Sequence, residues 1–257
     1  MNILQSIMSE RRADVEAARK RLPLSELRKL AVGRRHHSLA TALAGGKGAR
    51  VIAEIKKASP SAGLLQPDYQ PAAIARAYEA AGAAGISVLT EPRHFQGSDQ
   101  HLREVRQAVA IPVLRKDFIC DVYQVYETAA LGADVILLIV AALDARLLRT
   151  LYEEAIACRL DVLVESHTAD ELEQALALKK AILGINSRNL KTLKTDLSVA
   201  RDLASLIPDG RIAVAESGIR ARADIESLAS VGYRGFLIGE TLMSADDPGA
   251  RLKQLIG

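Results

Sequence analysis

From Val51 to the C-terminus the chain alternates short aliphatic runs with longer segments of helical spacing, and it does so eight times. The runs are Val51–Ile55, Ile86–Leu89, Pro112–Arg115, Asp134–Ile139, Asp161–Val164, Ala181–Ile185, Arg211–Ala215 and Gly235–Ile238. Each is short and largely apolar, as a strand buried on both faces of a parallel sheet requires. Helical periodicity follows at 71–81, 99–109, 122–131, 144–158, 169–178, 197–206, 222–231 and 248–256. Asp121, Thr168 and Asp196 stand where N-caps belong, and Gly82, Gly132 and Gly232 where a helix ends in a left-handed residue. Eight strand–helix units in about 200 residues match the period of a (β/α)8 TIM barrel. An open doubly wound sheet calls for a glycine-rich turn after its first strand; the turn here, Lys56 to Ser61, contains no glycine.

Composition agrees. Of 257 residues 49% are hydrophobic but only 4% aromatic, with no Trp, so the core must consist of aliphatic layers. One α/β domain over 1–257 accounts for the length, with 1–50 as an N-terminal extension of two helical stretches. The segment Ala44–Gly48 forms the joint to the barrel at 51–257.

The formal charge of +3 comes from interspersed charges. The basic groups Arg11-Arg12, Arg19-Lys20-Arg21 and Arg34-Arg35 with His36 and His37 lack interleaved aromatics, so no nucleic-acid partner is expected. The longest apolar run, Val135–Leu143, is too short to span a bilayer, and the N-terminus lacks a signal-peptide core. The expectation is a cytoplasmic protein without a membrane partner and, for want of a heptad seam, a monomer. Cys120 and Cys158 are not in CxxC spacing and read as two reduced, buried thiols. The histidines at 36, 37, 94, 101 and 167 show no paired ligand spacing, so no metal is expected; His167 reads as a solvated loop residue.

A barrel of this kind places its site at the C-terminal ends of the strands, and those ends are polar here. Glu54 and Lys56 share a face of the first strand, while Lys116, Glu165, Asn186 with Arg188, and Glu216 close the third, fifth, sixth and seventh. Burying unpaired charges is costly, so their convergence on one mouth explains them together. Ser217-Gly218 and Gly239-Glu240 follow strands seven and eight, where such barrels commonly seat a phosphate.

The ordered segments Ile52–Ser61 (IAEIKKASPS), Ser87–Glu91 (SVLTE), Phe95–Ser98 (FQGS), Leu114–Phe118 (LRKDF), Gly132–Asp134 with Ile136–Ile139, Gly184–Asn186 with Arg188–Leu190, Ala215–Ile219 (AESGI) and Ile238–Met243 (IGETLM) resemble the indole-3-glycerol phosphate synthase family. Departures are Ser187 in place of a second Asn, Ala215 in place of Ser or Thr, and Ala129 in place of Arg.

The resemblance implies ring closure of 1-(2-carboxyphenylamino)-1-deoxyribulose 5-phosphate with loss of carbon dioxide and water. It implies neither metal nor organic cofactor. It makes Lys116 the acid on the ribulose carbonyl, and Glu165, Glu54 and Lys56 the candidates for dehydration, in an order left open. It puts the phosphate on Ser217, Gly218 and Gly239, beside Glu240, with Lys56 and Arg188 as charged partners and Asn186, Glu216 and Ser59 completing the polar ring. Phe95, Phe118, Leu137, Ile139, Leu190 and Leu193 become the slot for the anthranilate ring. The alternative is another phosphate-binding barrel, either phosphoribosylanthranilate isomerase or a Schiff-base aldolase using Lys116 as nucleophile.

Overall fold

A computed structural model describes residues 3–33, 35–45, 48–190 and 192–257. Arg34 of the basic group, and Gly46 and Lys47 of the joint, lie outside the described residues. Eight parallel strands close into a barrel: β1 (Arg50–Ile55), β2 (Gly85–Leu89), β3 (Val113–Lys116), β4 (Val135–Ile139), β5 (Asp161–Ser166), β6 (Ile182–Asn186), β7 (Ala213–Glu216) and β8 (Gly235–Ile238). Each strand pairs with its neighbours in sequence, and β1 pairs with β8 to complete the ring.

The outer layer is α4 (Pro71–Ala80), α5 (Asp99–Ala108), α6 (Val122–Ala130), α7 (Ala145–Ala157), α8 (Ala169–Leu176), α9 (Ser198–Ala204), α10 (Arg222–Ser230) and α12 (Pro248–Ile256). A short α11 (Glu240–Met243) follows β8 directly. Asp121 and Thr168 cap α6 and α8 as their sequence positions predict. Asp196 sits one residue too early to be the cap of α9, yet its Oδ1 accepts the Ser198 N–H at 2.9 Å and performs the same service. Gly82, Gly132 and Gly232 adopt φ of 93°, 89° and 107°, the left-handed geometry that ends a helix.

Strand ends differ from expectation at the functional mouth. Lys116, Glu165, Asn186 and Glu216 belong to the strands themselves, in register with Leu89, Ile139, Glu216 and Leu237. The ladder runs through these polar residues because Lys116 neutralises Glu165 and Glu216 across the mouth, so the pairing need not stop where the apolar run stops.

The extension holds three helices, not two: α1 (Ile3–Arg21), α2 (Leu24–Leu30) and α3 (Leu39–Ala44). Its ends grip opposite mouths of the barrel. Leu39 and Leu43 of α3 join Ile52, Val135, Leu163 and Leu237 in the interior cluster, which seals the N-terminal mouth with hydrocarbon. Gly85 and Gly235 make that plug possible: a Cβ on either would lie 3.0 Å from a leucine methyl of α3. Meanwhile Leu4 and Met8 of α1 pack with Cys120, Tyr123, Phe118 and Leu190 beside the other mouth.

The linker between them is pinned by Asp134, which accepts the His37 N–H at 2.8 Å, and by Asp161, which accepts from Ser38 Oγ and the Ala40 N–H. Two members of the basic groups face the barrel: Arg11 is buried, and Arg19 pairs with Asp121 over the Tyr123 ring, while Arg12, Lys20, Arg21 and Arg35 are exposed. Cys120 is buried as expected, but Cys158 is only half-buried, because it caps α7 near the surface. Among the described residues no helix is long and apolar enough to cross a membrane.

Candidate active site

With one mouth sealed by leucines, the inward-facing polar side chains are left to the other, and there they form a single charged cluster. Lys116 Nζ stands at its centre. It donates to Glu216 Oε2 at 2.8 Å and lies 3.7 Å from both Glu54 Oε2 and Glu165 Oε2. Lys56 Nζ donates to the other oxygen of Glu54 at 2.7 Å. On the far side of Glu165, His167 Nε2 stands 3.3 Å from Oε1, an ion-pair separation without hydrogen-bond alignment.

The number of cations each carboxylate touches decides its protonation. Burial works to raise all three, because a low-dielectric surround penalises the charged form. For Glu54 the ammonium groups of Lys56 and Lys116 outweigh burial, and its pKa falls below the ordinary glutamate value. For Glu165 burial is outweighed by His167 and Lys116, with Asn186 adding a hydrogen bond, and its pKa falls too. Glu216 has Lys116 alone and two carboxylates nearby, so burial prevails and its pKa rises. Burial also acts to discharge Lys116, but three carboxylates override it and hold its pKa above that of ordinary lysine. The centre is therefore an ammonium ringed by two carboxylates that stay ionised and one that holds a proton more readily.

Two glycines make room for this cluster. A Cβ on Gly184 would lie 2.3 Å from Glu216 Oε1, and one on Gly239 would lie 2.1 Å from Glu54 Oε1. Gly239, singled out in the sequence for closeness to an anion, thus also vacates the volume that Glu54 fills.

Above the cluster opens a pocket lined by Glu54, Lys56, Ser59, Phe95, Lys116, Phe118, Leu137, Ile139, Glu165, Asn186, Arg188, Leu190, Leu193, Ser217, Gly218, Gly239 and Glu240. Every sequence-chosen residue except Glu216 is there; Glu216 is fully buried and reaches the pocket only through Lys116. Phe95 and Phe118 face each other across 6.0 Å, forming one apolar wall with Leu190 nearby.

On the opposite side Ser217 and Gly218 turn the chain with successive φ of 67° and 82°. A serine in the left-handed region is uncommon, and such strain collects at functional sites. Leu193, also in the pocket lining, has φ of 59°. Arg188 bridges the mouth: Nη2 donates to Glu240 Oε2 at 3.0 Å, and Nη1 donates to Ser61 Oγ and the Leu193 carbonyl, each at 3.1 Å. It draws the loop after β1 toward the loops after β6 and β8. Within the former, Ala58–Ser59 and Gly63–Leu64 form a small hairpin that the sequence does not announce.

Two further contributions carry no local signal in the sequence. Ile3, Leu4 and Ile7 of α1 line the pocket, so the extension is part of its wall. Their spacing is an ordinary apolar helix face, and nothing local says which cavity it covers. His167 is the second: its side chain is 11% exposed and wedged between Glu165 and Glu171, not solvated. Burial opposes its charge, but the two carboxylates push its pKa up to about 10.

A possible cation cluster, Glu10, Glu91 and His94, brings ligand atoms within 4.8 Å of one another. Those atoms already have partners: Glu91 accepts the N–H groups of Arg93, His94 and Phe95, and His94 Nε2 pairs with Glu10 at 3.0 Å. The group closes the loop that presents Phe95.

A family model for indole-3-glycerol phosphate synthase matches residues 4–255. The indole-3-glycerol phosphate synthase of Burkholderia multivorans is 48% identical over 258 residues, covering 99% of this chain and 98% of that protein. That of Burkholderia ambifaria is 47% identical over 257 residues, with the same coverage. Among solved structures, thiamine phosphate pyrophosphorylase from Pyrococcus furiosus superposes with a TM-score of 0.59 at 16% identity, over 85% of this chain and 96% of that one. A native KDPGal structure gives 0.58 at 16%, over 82% and 93%. At that identity the two solved structures speak only for the barrel. The full-length match at near-half identity, on a barrel whose mouth gathers the motif residues around one lysine, is decisive: this chain belongs to the indole-3-glycerol phosphate synthase family.

Proposed function

We propose that Lys116 is the acid of the ring-closing step in the reaction this family performs, the conversion of 1-(2-carboxyphenylamino)-1-deoxyribulose 5-phosphate to indole-3-glycerol phosphate. The observation that carries the assignment is the position of Lys116 Nζ on the pocket floor, among Glu54, Glu165 and Glu216. Carbon–carbon bond formation develops negative charge on the ribulose carbonyl oxygen, and a fixed ammonium stabilises that charge and supplies the proton. Loss of carbon dioxide then restores the arene.

Dehydration requires an acid for the leaving hydroxyl and a base for the adjacent proton. Glu165 suits the base, since two cations keep it ionised. Lys56, paired with Glu54 at 2.7 Å, suits the acid, with the ionised Glu54 as the acceptor that aims its ammonium. Phosphate is assigned to the Ser217–Gly218 turn and Gly239, with Lys56 and Arg188 as its cations and Glu240 as the residue that orients Arg188. The arene lies against Phe95 and Phe118, with Leu137, Ile139, Leu190 and Leu193 completing the slot.

A Schiff-base mechanism on Lys116 is disfavoured by the same geometry. An amine nucleophile needs a lowered pKa, and three carboxylates do the reverse.

The deciding experiment mixes purified protein with the carboxyphenylamino substrate and follows indole absorbance and fluorescence. Their appearance without added metal supports the reading, and their failure to appear overturns it. Gly218→Val is expected to raise KM about tenfold or more with a smaller change in kcat. Its φ of 82° excludes a branched side chain, and the added Cβ would meet Leu197 at 3.3 Å. An unchanged KM would remove the phosphate from this turn. Cytoplasmic action as a monomer belongs to the same reading, and light scattering at micromolar concentration checks the stoichiometry.

A further inference from the structure

Between the pocket and the outer helices lies a half-buried chain of titratable groups, of which the proposed reaction uses only Glu165. Glu171, in the first turn of α8, accepts the backbone N–H of His167 at 2.7 Å and lies 3.1 Å from its ring Nδ1, both through Oε2. Thr168 Oγ1 accepts the Glu171 N–H at 3.3 Å, so helix capping and the grip on the imidazole are one arrangement. The opposite ring nitrogen, Nε2, is buried and directed at Glu165 Oε1, 3.3 Å away. His167 does not line the pocket, whereas Glu165 does.

We propose that His167 is a positioning residue for the reaction: held by Glu171, it presents a fixed positive charge to the back of Glu165 and keeps that carboxylate aimed and ionised for proton removal. The inference rests on the assignment of Glu165 as the base.

The physical case is one of competition. Glu165 is buried at 2% exposure, and an isolated carboxylate there would take up a proton. It shares Lys116 with Glu54 and Glu216, each of which draws on the same ammonium. Glu54 has Lys56 as a second cation, while Glu216 has none and its pKa rises. Glu165 would follow Glu216 if His167 were neutral. The groups facing the pair from the packed elements are Lys116 on β3, Asn186 on β6, Glu216 on β7, Glu54 on β1 and Glu171 on α8. Only Lys116 and His167 among them bring positive charge to Glu165. Each ring nitrogen of the imidazole faces a carboxylate, Nδ1 toward Glu171 and Nε2 toward Glu165, an arrangement that favours the doubly protonated ring.

This arrangement divides labour among three otherwise similar buried glutamates. A base must be deprotonated at the operating pH and must not drift when substrate desolvates the site. An imidazolium outside the pocket lining provides that constancy.

The test compares wild type with His167→Gln, Glu171→Gln and Glu165→Gln. Imidazole 15N chemical shifts are expected to show both His167 nitrogens protonated at about pH 8 in the wild type, and the ring to titrate at lower pH in Glu171→Gln. In His167→Gln, kcat is expected to fall about tenfold or more and the acidic limb of its pH profile to move up by about one unit, with KM within about twofold. A residue that merely supported the fold would lower thermal stability without moving that limb. A neutral imidazole at pH 7 in the wild type, or an unmoved acidic limb in His167→Gln, overturns the proposal. Near wild-type kcat in Glu165→Gln would instead overturn the assignment of the base, and the imidazole shifts still report on His167 and Glu171 independently.

Discussion

Lys116→Ala is expected to lower kcat by about 10³-fold or more, the scale of a lost general acid together with a lost electrostatic contact. The stability of the same variant carries a second signature. Removing the ammonium leaves Glu216, Glu54 and Glu165 facing one another, and breaking a buried ion pair typically costs about 3–5 kcal/mol. The cluster can shed part of that cost by protonating Glu216, whose pKa is already raised in the intact protein. A carboxyl whose folded-state pKa exceeds its unfolded value favours the folded state at low pH, and that advantage disappears as pH rises through the folded value. Without Lys116 the Glu216 pKa rises beyond its value of about 7 in the intact protein, so the loss of stability in Lys116→Ala relative to wild type is expected to grow between about pH 7 and about pH 9, and to shrink in Lys116→Ala/Glu216→Gln. Steady-state kinetics and thermal melts across that range check both statements. A kcat within tenfold of wild type would remove Lys116 from the chemistry, and a pH-independent stability loss would remove Glu216 from the charge balance.

Gly184→Ala, one methyl group added on a barrel strand, is expected to abolish most activity without touching substrate. The new Cβ would stand 2.3 Å from Glu216 Oε1 and 3.2 Å from Leu163 Cδ1, with the Val164 carbonyl oxygen at 3.4 Å. The carbonyl is fixed in the ladder and the leucine is packed, so Glu216 has to leave, and Lys116 loses the partner it holds at 2.8 Å. Overpacking of this kind costs about 1–3 kcal/mol. A fall in kcat of about 10²-fold follows if Lys116 then swings toward Glu54 and Glu165. The control is Gly184→Ala/Glu216→Ala, which vacates the contested space. Its melting temperature should exceed that of Gly184→Ala alone, a non-additivity expected of neighbours in contact. Additive effects in the cycle would show that the methyl group and the carboxylate do not compete.

Much of the site was legible before folding, for a simple reason. An apolar strand that ends on a polar or charged residue has no packing explanation, so Glu54, Lys56, Lys116, Glu165, Asn186 and Glu216 stand out against their aliphatic runs. Their alternation also assigns direction: in a strand, residues two apart share a face, which placed Lys56 with Glu54. His167 defeated the same logic, because a histidine after a strand and before a helix cap looks like any loop residue. Its partner Glu171 is four residues along, a spacing that also serves ordinary helix capping. Ile3, Leu4 and Ile7 were hidden differently: their helix is plain in the sequence, but the cavity they cover lies more than a hundred residues away at Phe118 and Leu190.

The sequence by itself determined the eight-fold alternation, the direction of the strands, the mouth that would carry charge, and the family whose motifs appear in order. Those follow from periodicity, capping and residue type, each unit readable within a short window and the whole from the order of the units along the chain. Only the tertiary structure decided how many cations each glutamate meets, and hence which one holds a proton most readily. That count depends on the closure of the barrel, which brings β1, β3, β5 and β7 to one point, and on two glycines that leave space for carboxylates contributed by other strands. Electrostatic energy between buried groups is set by distance and desolvation together, and neither quantity exists until the ring is closed.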